Sequence, residues 1–250
     1  MARVFVHGNP ETDVIWHLLA TELRSRGIDD LVTLSPPGFG GPRPDGFAAT
    51  PAAYIEWLIE EIESIGGPVD LVGHDWGAGH VFGVVAERSD LVRSWACDVA
   101  GLLHPDYVWH DAAQLWQTAD VGEQAIAGMV AQPVEERVQT YIGFGIAEWA
   151  AQSLAESMDD TMGECILALY RGAVPPYLTD LADRLAATDR RPGLILNPTA
   201  DPYVSADLVP DVAERFGADV AELEGAGHWW MFFAHEKGAE ALAGFWAGLD

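Results

Sequence analysis

The chain has 250 residues, about half of them apolar and ten of them Trp, enough for one sizeable α/β domain with an insertion. Its formal net charge of −26, with Lys237 as the only lysine, opposes binding to nucleic acid or to an anionic membrane surface. No run of 18 uninterrupted apolar residues proposes a membrane span, and Cys97 and Cys165 alone make no disulfide framework.

The opening "MARVFVHGNP" enters a strand pattern at Arg3–Val6 without the long apolar region of a secretion signal, so a cytoplasmic location is expected. Val14–Arg26 has helical spacing and stops at Gly27; Asp30–Leu34 reads as a second strand, followed by the rigid loop "SPPGFGGPRPDG". Thr50 and Pro51 mark the N-cap and first turn of a helix whose apolar stripe is Ile55, Leu58, Ile59 and Ile62. Val69–Gly73 is a third strand, then comes "HDWGAGH", a helix to about Arg88, and a fourth strand at Val92–Cys97. From about Leu103 to Arg190 apolar residues keep helical spacing and aromatics are dense, with no clear strand. Alternation resumes with "GLILN" (193–197), a helix near Ala206–Phe216, "DVAELEG" (219–225) and a last helix from about Ala234. This order predicts an α/β fold with a mostly or wholly parallel sheet of about six strands covered by helices. A helical segment is inserted after the fourth strand. In such sheets ligands bind beyond the carboxyl ends of strands, where His7, Asp75, Asp98, Asp201 and His228 fall.

Gly73-His74-Asp75-Trp76-Gly77 joins a strand to a helix with glycines two residues either side of Asp75. A reversal this tight needs small flanking residues, and it lifts its central side chain over the end of the sheet. The helix that follows favours negative charge at its N-terminus. "NPTADPYVS" (197–205) offers Asp201 after a later strand, and "GAGHWW" (225–230) offers His228 after the last one. The order is nucleophile, acid, histidine. An aspartate at the nucleophile position is suited to displacement at a saturated carbon, or to opening a strained ring, rather than to acyl transfer. His228 would activate water against the resulting ester and Asp201 would orient His228. This chemistry needs no metal and no cofactor, and His104, His110 and His235 read as surface or structural residues.

"HGNP", "PPGFG", "GHDWGA", "DPYV" and "GHW" together resemble the α/β-hydrolase superfamily, in particular haloalkane dehalogenases and epoxide hydrolases. The resemblance implies a core from residues 1–102 and 191–250 under a helical cap at 103–190. It also implies a covalent aspartyl ester on Asp75 and Asp98 as a reserve for the acid. Asn9 and Trp76 would hold a leaving halide, and their backbone N–H groups an oxyanion. The resemblance further implies two strands ahead of the "HG" strand; this chain opens directly at it, which would leave a sheet edge open to pairing in a homodimer. Trp109, Tyr141, Phe144, Trp149 and Tyr170 are the candidate pocket residues in the cap. The expected activity is hydrolysis of carbon–halogen bonds in a small, apolar, uncharged substrate. Epoxide hydrolysis, with a cap tyrosine such as Tyr141 or Tyr170 as acid, is the alternative, and a non-catalytic small-molecule-binding protein on the same fold is the third reading.

Overall fold

The structure is a computed structural model that describes residues 1–249. Strand β1 (Arg3–Val6) leads through one turn of 3₁₀ helix into α1 (His17–Ser25) and then β2 (Leu31–Leu34). Helix α2 (Pro51–Ile65) starts as expected: the Thr50 hydroxyl accepts from the Ala53 N–H at 3.3 Å, and Gly66 closes the helix at φ 93°. Then come β3 (Val69–Gly73), α3 (Trp76–Glu87) and β4 (Val92–Cys97). Six helices follow before the sheet resumes: α4 (Asp111–Gln117), α5 (Val121–Ala131), α6 (Val134–Gly143), α7 (Glu148–Ser157), α8 (Asp160–Gly172) and α9 (Tyr177–Ala187). The chain ends through β5 (Gly193–Pro198), α10 (Val209–Phe216), β6 (Asp219–Leu223) and α11 (His235–Ala247).

The six strands form one sheet in the order β2-β1-β3-β4-β5-β6, every pair parallel. Parallel pairing demands crossovers, and these cover both faces of the sheet. One apolar layer joins the sheet to α2, α3, α9 and α10, around Leu58, Leu71, Phe82 and Leu181. The opposite layer joins it to α1, α7 and α11, around Phe5, Trp16, Leu154 and Trp246. Helix α3 is buried from Trp76 to Val85, which explains why "WGAGHVFGVV" shows no polar stripe.

Helices α4, α5 and α8 pack on one another and against Phe39, Tyr54 and Trp76, so they roof the carboxyl end of the sheet. The rest of the insertion does not stand apart as a lid. Helix α7 enters the apolar layer of α1 and α11, and Leu181, Ala182 and Leu185 of α9 belong to the layer of α3. No helix among the described residues is long and apolar enough to cross a membrane.

Candidate active site

Asp75 sits between β3 and α3 at φ 51°, ψ −123°, a left-handed conformation that costs a non-glycine residue on the order of 1–3 kcal/mol. Its surroundings hold it there. A Cβ on Gly77 would overlap the Val6 carbonyl, and one on Gly8 would overlap the Asp75 carboxylate itself. The two glycines therefore let the β1 loop and the start of α3 close around the carboxylate. Asp75 Oδ1 accepts the Asn9 N–H at 3.0 Å. Burial pushes the Asp75 carboxyl up to about 6, against the opposing pull of the His228 charge.

His228, in the loop after β6, points Nε2 at Asp75 Oδ2 from 3.8 Å and shares its Nδ1 proton with Asp201 Oδ2 at 2.8 Å. Asp201, in the loop after β5, has its other oxygen occupied by the N–H groups of Tyr203 (2.7 Å) and Val204 (3.3 Å), so one oxygen is left to orient His228. Burial works against a charged Asp201, but the hydrogen bond and charge of His228 outweigh it and hold its carboxyl low. Burial likewise works against an imidazolium at His228, and Asp201 overcomes it, so the ring titrates above its ordinary value.

Asp98, the reserve acid, does not touch His228. It belongs to a second cluster behind the elbow that the sequence analysis does not foresee. His74 Nδ1 lies 2.5 Å from Asp98 Oδ2 and its Nε2 3.1 Å from Glu11 Oε1, all three side chains fully or almost fully buried. Both ring nitrogens face a carboxylate, and only an imidazolium can donate from both. Burial opposes that charge, yet the two carboxylates hold the His74 pKa well above its usual value. The cluster also reaches forward. Asp98 accepts the Asp75 N–H (3.0 Å) and the Trp230 indole N–H (2.7 Å); Glu11 accepts the Gly8 N–H (3.1 Å) and the Trp229 indole N–H (2.5 Å). The Asp75 turn, the Asn9 loop and the His228 loop are thus tied to one charged group. Glu11 lies two residues beyond Asn9 in "HGNPE", a signal visible in the sequence only if its burial is known.

A small cavity lies in front of Asp75. Asp75, Trp76 and His228 form its floor, Trp109 and Tyr170 its roof, and Val99, Leu102, Leu178 and Leu181 its apolar side. Of the five aromatic residues expected to line it, Trp109 and Tyr170 do. Tyr141 instead bonds the Pro10 carbonyl through its hydroxyl (3.1 Å) within the α1/α11 layer, and Phe144 stacks outside on Trp229 at 5.1 Å. Trp149 packs against His17 and Phe232, near the surface. Tyr107, His110 and Tyr203 line it as well, outside those five; they separate the cavity from an open surface depression. His110, read as a surface or structural histidine, caps α4 by accepting the Ala113 N–H at Nδ1 (3.2 Å), and its ring also lies 5.0 Å from that of Tyr203 in this partition.

Two polar features lie close to Asp75. Both side-chain atoms of Asn9 are buried without a hydrogen-bond partner, at 6% exposure of the residue. The Tyr170 phenol is kept protonated by burial and by the Asp75 charge, with the Trp76 and Asn9 side chains acting on it in the opposite sense. Glu11, His74 and His228 bring ligand-type atoms within 4.8 Å of one another. A metal there would have to displace a carboxylate from His74, so the arrangement is suited to holding protons.

The sequence from residue 4 to 243 matches the model of the alpha/beta hydrolase family, and the chain belongs to that family. No curated protein matches it. Among solved structures, it is similar to a putative epoxide hydrolase from Pseudomonas aeruginosa, with 23% identity, a TM-score of 0.79, and 99% of this chain and 89% of that one covered. It is also similar to a loop variant of the haloalkane dehalogenase DbeA from Bradyrhizobium elkanii, with 19% identity, a TM-score of 0.74, and 99% and 89% covered. An E-2-(acetamidomethylene)succinate hydrolase gives 20% identity, a TM-score of 0.70, and 98% and 91% covered. These likenesses are to the fold.

Proposed function

We propose that this alpha/beta hydrolase cleaves small apolar electrophiles at saturated carbon through an ester on Asp75, and that its substrates are haloalkanes. The observation that carries the reading is the pairing of a strained, part-buried carboxylate with a histidine that an acid orients, over an apolar cavity. An Asp75 oxygen attacks the substrate carbon and the halide departs with the bonding electrons. His228 Nε2 then takes a proton from water as the water oxygen attacks the Asp75 ester carbon. The Asn9 N–H, already on Oδ1, meets the charge that develops there. Collapse expels the alkoxide, which regains the proton from His228; the second water proton, left on the Asp75 carboxyl, passes to solvent, and the carboxylate is restored. Asp201 stabilises the cationic His228 between those two transfers.

The unpaired, buried amide of Asn9 favours a halide as the leaving group. Its amide makes no hydrogen bond of good geometry within the protein, and it acts together with the Trp76 indole on the Tyr170 phenol at the cavity wall. A specific observation also favours a second reading, epoxide hydrolysis: Tyr107 and Tyr170 both line the cavity, and both phenols are held in the protonated form needed to donate to an opening ring oxygen. Incubation with 1-bromobutane and with styrene oxide, each compared with Asp75→Ala, separates the two. Bromide and butanol from the wild type alone are expected. Diol without bromide would replace the first reading by the second, and inertness toward both together with the absence of any adduct on Asp75 would remove the covalent mechanism.

A further inference from the structure

Glu11 is fully buried and shares the His74 imidazolium with Asp98. The His74 imidazolium lies 2.5 Å from Asp98 and 3.1 Å from Glu11, so one buried cation faces two buried carboxylates and the cluster carries net negative charge in a dry interior, where charge is costly. Something that becomes positive during turnover would make use of it. Five titratable groups besides His74 act on Glu11 or are acted on by it: His7, His228, Asp75, Tyr141 and Tyr203. His7 is kept neutral by burial, its ring bonded to the Gly8 carbonyl side (2.8 Å) and to Ser35 (3.2 Å). The tyrosines and Asp75 cannot become cations. That leaves His228, whose ring nitrogen lies within 4.8 Å of a Glu11 oxygen and whose ring centroid is 4.7 Å from that of His74.

We propose that Glu11 is a positioning residue of the second half-reaction, the carboxylate that supports the His228 imidazolium once Asp75 has been esterified. The inference rests on the covalent reading above. In the free enzyme His228 faces Asp201 and Asp75, both anionic, with Glu11 beyond, and His74 and His110 on its other sides. Alkylation of Asp75 abolishes one of these charges at the moment before His228 must accept a proton from water. Asp201 and Glu11 are the carboxylates that remain. Glu11 is fixed for this task by the Gly8 N–H on one oxygen and the Trp229 indole on the other. The same charge has the opposite effect on the first half-reaction, because it disfavours a negative Asp75 and so raises the pH at which the nucleophile ionises.

Opposite effects on two steps are what a merely structural residue would not produce. Glu11→Gln is therefore assayed with 1-bromobutane under single-turnover conditions, bromide reporting alkylation and butanol or the loss of the Asp75 adduct mass reporting ester hydrolysis. Expected are alkylation within about threefold of wild type at pH 8, with its acid limb moved to lower pH. Ester hydrolysis should be slowed about 10- to 100-fold, the range for losing one charge-stabilising group, so that the adduct accumulates. Equal slowing of both steps, or of neither, would overturn the proposal. Should Glu11→Gln not fold, Glu11→Asp keeps the charge but draws it back; it is expected to slow ester hydrolysis alone with the acid limb unmoved, and equal loss in alkylation would count against it. A wild type that forms no adduct at all, with bromobutane or with styrene oxide, would reject the covalent reading itself, a result distinct from any of these.

Discussion

His74 and His228 lie side by side, buried against carboxylates, yet only one of them is arranged as a base. Each nitrogen of His74 meets a carboxylate, so its protons are held in place. His228 gives one nitrogen to Asp201 and turns the other toward Asp75 at 3.8 Å, longer than a hydrogen bond. The contrast separates two uses of the same side chain. A histidine clamped at both ends is a fixed cation that ties loops together; one clamped at a single end can exchange a proton with whatever occupies the gap.

The most direct way to break this distinction is to remove the front cluster and ask what survives. Asp75→Asn is expected to lower turnover by at least about 10⁴, in the range seen when a nucleophile is lost, while raising folding stability by about 1–2 kcal/mol, since it removes a buried carboxylate. The sign follows from the raised pKa. The native state binds the Asp75 proton more tightly than the unfolded chain, so stability is lost as pH rises from near 4 through about 6. The gain should therefore appear above that window and vanish below it, which urea unfolding at pH 4 and pH 8 checks.

A paired substitution sharpens the contrast between the acids. Asp201→Asn should cost about 10³–10⁴ in turnover, because the tautomer and orientation of His228 depend on it, with a modest effect on stability. Asp98→Asn should instead cost about 3–5 kcal/mol of stability, as it strips a partner from a buried cation, measured by denaturant unfolding. Asn9→Ala is expected to slow bromide release by about 10²-fold, the scale for one anion-hole donor, with ester hydrolysis less affected because the Asn9 backbone N–H is retained. The smallest effect is in the pH profile. Alkylation needs ionised Asp75 and should fall as pH drops below about 6. Ester hydrolysis needs neutral His228, whose pKa lies above its usual value, so its limb sits at higher pH. Rapid-quench mass spectrometry should then find more Asp75 adduct at pH 6.5 than at pH 8.5.

The front cluster was legible in the sequence because local geometry encodes it. Gly73 and Gly77 around Asp75 announce the turn, and Asp201 and His228 follow strands that the short segments "GLILN" and "DVAELEG" mark between helical stretches. The sheet was legible for the same reason, including the position of the helical insertion. Glu11 was not, because an acidic residue in a loop is an ordinary surface residue until its burial is known. The cap pocket was legible only in part. Aromatic content singles out Tyr141, Phe144 and Trp149 as readily as Trp109 and Tyr170, and only the packing of α6 and α7 against α1, α11 and the His228 loop turns the first three away from the cavity. Tyr107, His110 and Tyr203 come from loops or loop–helix junctions, where periodicity carries no information about facing.

The cluster around His74 draws its members from the whole length of the chain. Glu11 follows β1, His74 follows β3, Asp98 follows β4, and the two indoles come after β6, the Glu11–Trp229 bond alone spanning 218 positions. A nascent chain that has made its first four strands already owns the imidazolium and both carboxylates, but neither indole. Synthesis runs from the N-terminus, so these charges wait on the last segment to be sealed from water. The alignment of the elbow, the Asn9 loop and the His228 loop therefore arrives late, with the two indoles that close the cluster.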